Sequence, residues 1–272
     1  MPQLPLRTGI RVHYELDGPQ DAPVVVFVNG LLTDLHSWDG HQRAFEGYRR
    51  LRWDCRGQGL SSKPEQPSYS VATHAGDLVA LLDALDLHQP VALVGLSNGA
   101  AAALCVASEH PARVSAMVLA GAYAQVDRAL AVKLHSWLMA MEAGGSALRF
   151  DVATPWVWGA AFLEENYEML KSYRDRGLAL DEDAVERLVK GAVEHRLTTE
   201  ALARIAAPAL VMVGEDDLLT PPALARQIVH AVAGARLAVL PGLGHAAALE
   251  DVDGFARAAR RFVDDNRGSG GD

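Results

Sequence analysis

The stretch Val91-Ala92-Leu93-Val94-Gly95-Leu96-Ser97-Asn98-Gly99-Ala100 constrains this chain more than any other. Aliphatic residues and Ala dominate positions 91–95, the composition of a buried strand, and an Ala-rich run at 100–107 suits a helix. The turn between them is Gly-Leu-Ser-Asn-Gly. A serine at so sharp a strand-to-helix turn sits in strained backbone, with its hydroxyl raised above the sheet edge. Glycine is needed two places either side because side chains there collide with the turn. The N–H of Asn98 then faces the space beside the hydroxyl, and the start of a helix adds a partial positive charge for a developing oxyanion. A nucleophilic serine needs this geometry, together with a base, an acid and a second oxyanion donor from elsewhere. The three fixed positions of G-x-S-x-G also arise by composition alone; the strand before and the helix after set this instance apart.

The remainder of the chain repeats the strand–helix rhythm. Residues 4–7 and 10–16 flank Thr8-Gly9 and read as an antiparallel pair. Residues 24–28 are a continuous β-branched and aromatic run, expected of a central strand buried on both faces. It ends at Asn29-Gly30-Leu31-Leu32, whose Leu31 N–H is placed to face Ser97 in a parallel sheet, with residues 33–38 at the rim of the same crevice. A strand over 48–53 leads to Asp54-Cys55-Arg56-Gly57-Gln58-Gly59, a tight turn in which Asp54 and Arg56 read as scaffold. A helix over 71–87 places Ala75, Leu78, Val79, Leu82 and Leu85 on one face. After the serine helix comes a strand at 116–120. From 123 to about 204 the strand rhythm stops. Val126, Leu130, Leu134, Trp137, Leu138 and Met141 follow helical spacing up to Gly144-Gly145, and further helices are predicted over 163–176 and 183–195. This segment reads as a helical cap (123–204) inserted into a core of 1–122 and 205–265. Between its helices lies Thr154-Pro155-Trp156-Val157-Trp158-Gly159, where Trp156 and Trp158 line an apolar pocket or pack the cap. Strands at 208–213 and 237–240, a helix from Pro221-Pro222 to 232 and a last helix over 252–264 complete the core. The Gly/Ser-rich tail, 266–272, reads as disordered.

Composition excludes several classes. Lys and Arg total 25 against 34 Asp and Glu, a formal charge of −9, and no basic patch stands out. Neither nucleic acid nor an anionic membrane is therefore an expected partner. No apolar run approaches the roughly 20 residues of a membrane span, and no Lys/Arg-led signal segment precedes one. The two cysteines, Cys55 and Cys105, fall in predicted core elements, where they read as small buried hydrophobes. A cytoplasmic protein without metal or cofactor is the expectation, and a homo-oligomer stays open.

Strands alternating with helices imply a mostly parallel α/β sheet whose carboxyl edge collects the functional loops. That edge gathers the Leu31 loop, Ser97, the acidic loop Gly214-Glu215-Asp216-Asp217 and Gly242-Leu243-Gly244-His245. A serine hydroxyl needs a base, and an imidazole needs a carboxylate behind it to fix its tautomer. Of the ten histidines, His13, His88, His110 and His195 sit in ordinary contexts, while His36 and His41 follow the oxyanion loop and are candidates to touch a substrate. His245 differs because two glycines free its loop at a strand end. The same residues match the dinucleotide pattern G-x-G-x-x-A, but too little chain follows Ala247 for the second strand that motif requires.

The turn GLSNG, the loop VNGLLTDLHSW, the segment DCRGQGLSSKP, the stretch VGEDDLLTPP and the ending PGLGHAAALE occur here in the order found in the α/β-hydrolase superfamily, which the chain resembles over nearly its whole length. The resemblance implies an eight-stranded, mostly parallel sheet with helices on both faces and a helical cap after the sixth strand. It also implies a cofactor-free triad of Ser97, Asp217 and His245, with oxyanion donors at the N–H groups of Leu31 and Asn98. Many relatives carry His-Gly where this chain has Asn29-Gly30; enol-lactonase-like members have a similar Asn or Ser, which points toward lactone or ester substrates. The leading expectation is a carboxylic-ester or lactone hydrolase working through an acyl-enzyme, with His36, Trp156 and Trp158 in its substrate pocket. The alternatives are carbon–carbon bond hydrolysis or perhydrolysis on the same triad, and a ligand receptor with a slow hydrolase pocket.

Overall fold

The computed structural model describes residues 3–177 and 180–267. In chain order its elements are β1 (Gln3–Pro5), β2 (Arg11–Asp17), β3 (Val24–Val28), a 3-10 helix (Leu35–Phe45), β4 (Arg49–Trp53), α1 (Val71–Ala84), β5 (Val91–Leu96), α2 (Asn98–Glu109), β6 (Val114–Ala120), α3 (Arg128–Val157), α4 (Ala160–Gly177), α5 (Glu182–Val193), α6 (Thr199–Leu202), β7 (Ala209–Gly214), α7 (Pro222–Ala231), β8 (Arg236–Leu240), α8 (Ala247–Glu250) and α9 (Val252–Asp265). The strands form one eight-stranded sheet in the order β1-β2-β4-β3-β5-β6-β7-β8. The β1–β2 and β2–β4 pairs are antiparallel and all others are parallel.

Side chains alternate across this sheet into two cores, as a period of two requires. Val26, Val28, Leu93, Leu119, Val211 and Val213 face α1, α2 and α7. Val25, Phe27, Val94, Val118 and Met212 face the 3-10 helix and α9 through Trp38, Phe45, Phe255 and Phe262. Burial on both faces explains why β3, β5 and β6 read as unbroken apolar runs. Alanine at positions 100–103, each at most 1% exposed, lets α2 lie close on the sheet behind Ser97.

Register delivers the site. Val28 pairs with Gly95, Leu96 with Ala120, Ala120 with Met212, and Gly214 with Leu240. The residues leaving β3, β5, β6, β7 and β8 therefore emerge along one carboxyl edge. Helices α3 to α6 all lie between β6 and β7.

Several sequence expectations are corrected. Gly144 and Gly145 do leave helical geometry, the latter at φ 65°, but a second helical run resumes at once. The N–H of Ser146 is capped by Glu182 at 3.3 Å, so the chain needs no spacer there. Residues 154–157 consequently belong to helix, and only Trp158 and Gly159 separate α3 from α4. Residues 35–38 do not form a rim loop. They open the 3-10 helix, capped by Asp34, with Leu35 and Trp38 buried in the core. In the tail, Asn266 Nδ2 donates to the Phe262 carbonyl at 2.7 Å. Arg267 lies 4.1 Å from the centre of the Tyr48 ring and donates to its hydroxyl. A cation over an aromatic face with a hydrogen bond at its edge holds these two residues; 268–272 lie outside the described residues. Among the described residues no helix is long and apolar enough to cross a membrane.

Candidate active site

Ser97 stands between β5 and α2 at φ 55°, ψ −117°. A non-glycine residue stays in that region only where its surroundings over-determine it. Two constraints do so: its N–H donates to the Ala120 carbonyl at 2.7 Å, and glycines crowd it on both sides. A Cβ on Gly95 would lie 2.7 Å from the Ala100 nitrogen, and one on Gly99 would lie 2.2 Å from the Val28 carbonyl oxygen. The hydroxyl that results is 2.8 Å from His245 Nε2.

His245 comes from the loop after β8. Its Nδ1 is 2.9 Å from Asp217 Oδ2 and 2.8 Å from Thr220 Oγ1. Space for the imidazole depends on Gly121, whose Cβ would stand 2.8 Å from His245 Cε1. Asp217 is 1% exposed, whereas Glu215 and Asp216 face solvent. Its Oδ1 accepts from the N–H groups of Leu219 at 3.0 Å and Thr220 at 2.7 Å. The Thr220 hydroxyl lies 2.9 Å from Oδ2 and 3.0 Å from the Gly121 carbonyl. A buried carboxyl group bound by this many donors is fixed in place and aimed at one imidazole nitrogen.

A cleft of about 630 Å³, counted to its open mouth, lies over the serine. Gly30, Leu31 and Thr33 of the β3 loop, Leu96, Ser97, Tyr123, Leu219, Thr220, His245, Ala246 and Leu249 line its sheet side. Leu130, Leu134, Trp137, Val157 and Trp158 come to it from α3 and its end. Leu31 thus sits on the wall beside the nucleophile, and Asn98 opens α2, where N–H groups lack intrahelical partners. Tyr123 donates to Asn98 Oδ1 at 2.9 Å, and burial pushes its phenol above the ordinary range.

Two expected pocket residues stand elsewhere. His36 is an exposed side chain paired with Asp39 at 3.1 Å. Trp156 packs against the core from α3 and does not reach the cleft, while Trp158 does, stacked on Phe162 at 5.1 Å. The two tryptophans are two positions apart, about 200° around a helix, so they cannot share a wall. Nor does His41 touch the cleft; its buried Nε2 donates to the Ala248 carbonyl. Asn29 faces inward as well, accepting from Trp38 Nε1 and donating to the Trp53 carbonyl, both at 3.1 Å. Its side chain anchors the loop and is not among those lining the cleft. Gln58, seen in the sequence only as part of a turn, accepts from the Leu32 N–H and steadies the same loop. Thr220 also escaped the sequence reading, since a threonine before Pro-Pro carries no signal of its own. Leu130, Leu134 and Trp137 had one, a helical face at spacings of four and three. Among the described residues no three His, Cys, Asp or Glu side chains gather as metal ligands would.

Comparison with known proteins places this architecture. The profile of the family described as alpha/beta hydrolase fold matches residues 23–252. The chain belongs to that family of hydrolases. RutD of Variovorax paradoxus, provisionally named a carbamate hydrolase, is 28% identical over 255 residues, covering 93% of this chain and 96% of the relative. A non-heme chloroperoxidase of Streptomyces lividans is 29% identical over 252 residues, covering 87% and 90%. The enol-lactonase of Burkholderia xenovorans superposes with a TM-score of 0.88 at 28% identity, covering 97% of this chain and 100% of its own.

Proposed function

We propose that the protein is a serine hydrolase that cleaves carboxylic esters or lactones through an acyl-enzyme, with residues 123–204 serving as a cap over the site. The observation that carries this reading is the linear run from Ser97 Oγ to His245 Nε2 (2.8 Å) and from His245 Nδ1 to Asp217 Oδ2 (2.9 Å). Ser97 Oγ attacks the substrate carbonyl carbon as His245 takes the hydroxyl proton. The N–H groups of Leu31 and Asn98 receive the oxyanion. Collapse breaks the C–O bond, and His245 returns the proton to the departing alkoxide, leaving Ser97 acylated. Water then attacks under the same base, and the acid is released. Asp217 holds the tautomer and offsets the imidazolium charge.

The lining supports an apolar, uncharged acyl group. Among the described residues no Asp, Glu, Lys or Arg lines the cleft, and an unpaired carboxylate would lose its hydration there without recompense. A fluorophosphonate should therefore label wild-type protein once and Ser97→Ala not at all, with circular dichroism unchanged. Labelling of the alanine variant would overturn the assignment. A p-nitrophenyl ester series beside a lactone panel should then show turnover of neutral acyl chains and rejection of ω-carboxylated ones. The chloroperoxidase relative favours one second reading, perhydrolysis. Hydrogen peroxide in place of water at the acyl-enzyme would release a peracid, which a peracid-specific dye assay distinguishes.

A further inference from the structure

Behind the cleft wall the two segments that flank it are joined by one side chain. Trp158 and Val157, at the α3–α4 junction, line the cleft on one side of this seam; His245, Ala246 and Leu249 line it on the other. The backbones touch. A Cβ on Gly244 would lie 2.3 Å from the Gly159 nitrogen and 2.7 Å from the Trp158 carbonyl carbon. A Cβ on Gly159 would lie 2.9 Å from the Gly244 nitrogen. Two N–H groups brought this close cannot satisfy one another, and each needs an acceptor.

Glu250, the last residue of α8, serves both. Gly159 N–H donates to its two carboxylate oxygens at 3.2 and 3.3 Å, and Gly244 N–H donates to the same pair at 3.2 and 3.0 Å. The Ala246 N–H donates to the Val157 carbonyl at 2.9 Å, a further tie across the seam. Burial raises the Glu250 carboxyl above its ordinary range; the N–H groups of Gly244 and Gly159 and the nearby His245 oppose that, while Asp217 adds to it. An acid half-withdrawn from water beside another carboxylate is costly surface chemistry, and the two amides are what offset it.

We propose that Glu250 is a positioning residue: by accepting from Gly159 and Gly244 it locks the α3–α4 junction to the loop bearing His245, so that the acyl wall at Trp158 and the general base keep one fixed separation. The proposal rests on His245 acting as the base of Ser97. Its chemistry ranks the substitutions. Gln keeps the length but offers one acceptor oxygen and turns an NH2 toward an N–H donor. Asp keeps the charge but falls one methylene short, and Ala removes the tie.

The test measures kcat and KM of wild type, Glu250→Gln, Glu250→Asp and Glu250→Ala with p-nitrophenyl acetate and p-nitrophenyl octanoate, beside the melting temperature. In Glu250→Ala, kcat should fall about tenfold or more with both esters, the scale expected of a small displacement of reacting groups. KM should rise for octanoate and change less for acetate, whose short acyl chain makes fewer contacts with the cleft wall. Glu250→Gln should fall between. A lower melting temperature with unchanged kcat and unchanged chain-length preference would make Glu250 merely structural and overturn the proposal. Should Glu250→Ala fail to fold, wild-type kinetics in Glu250→Gln and Glu250→Asp would overturn it equally. If wild type turns over no ester, the hydrolase reading fails separately. The latch is then read from the rate of fluorophosphonate labelling at Ser97, which needs His245 but no substrate: slower labelling in Glu250→Ala supports it, and an unchanged rate refutes it.

Discussion

Three carboxylates follow Gly214, and burial separates them. Glu215 and Asp216 are exposed, while Asp217 is 1% exposed beneath the imidazole. Asp217→Asn should lower kcat by about 10³–10⁴ with KM largely kept, because an amide there favours the wrong tautomer. Asp216→Asn should change kcat only a few-fold; equal damage from both would locate the effect in the loop's fold. Thr220 stands one step further out, within 2.8 Å of His245 Nδ1 and 2.9 Å of Asp217 Oδ2. Thr220→Val keeps the shape and removes the hydroxyl. The expected loss is about 0.5–1.5 kcal/mol of transition-state stabilisation, about two- to twelvefold in kcat at constant KM. A fall as deep as that of Asp217→Asn would mean that the threonine, not the acid, orients the ring.

At the scale of elements, the end of α3 decides what the two tryptophans do. Trp158 follows the last helical residue and reaches the cleft, whereas Trp156 is turned onto the core. Trp158→Ala should shift chain-length preference by about 1–3 kcal/mol of discrimination. Trp156→Ala should leave that preference alone and cost about 2 kcal/mol of stability, less than the loss of a fully buried aromatic. A kinetic ester panel beside urea denaturation separates the two outcomes, and a shifted panel in Trp156→Ala would contradict this placement. Periodicity had revealed the helices on either side of this junction. It could not say where the first one stopped, because Pro155 sits inside a helix here and the glycine pair that should have ended it only kinks it.

For the whole molecule, buried histidines tie stability to pH on the acid side; burial lowers His41, and His74 and His195 further. His74, beside the Arg56–Asp77 ion pair, and His195 both fall to about 4. In the unfolded chain a histidine takes up its proton near 6.5. Between those values the unfolded state binds more protons, so stability is full above pH 6.5 and is lost as pH falls toward 4. Two protons give a slope of up to about 3 kcal/mol per pH unit within that window. Urea unfolding at pH 7 and pH 5 should show the loss, and His195→Gln should reduce it by about half. Unchanged stability across the two conditions would mean that these rings accept protons in the fold.

What the sequence alone determined was local. The strand, turn and helix around Ser97 follow from short-range sterics and side-chain periodicity, and so did the central strands and the order of the loops along the chain. An α/β sheet with a helical excursion after its sixth strand was legible from these alone. Tertiary structure decided which residues meet. That Asp54 and Arg56 serve the scaffold was readable from their turn; that Asn29 does so too, bridging Trp38 and Trp53, was not. Nor could the sequence show that His36 turns to solvent, that Thr220 joins Asp217, or that Glu250 spans the seam at Gly159. Each of these depends on distances between segments far apart in the chain. Strand register and burial set those distances, and no local pattern encodes them.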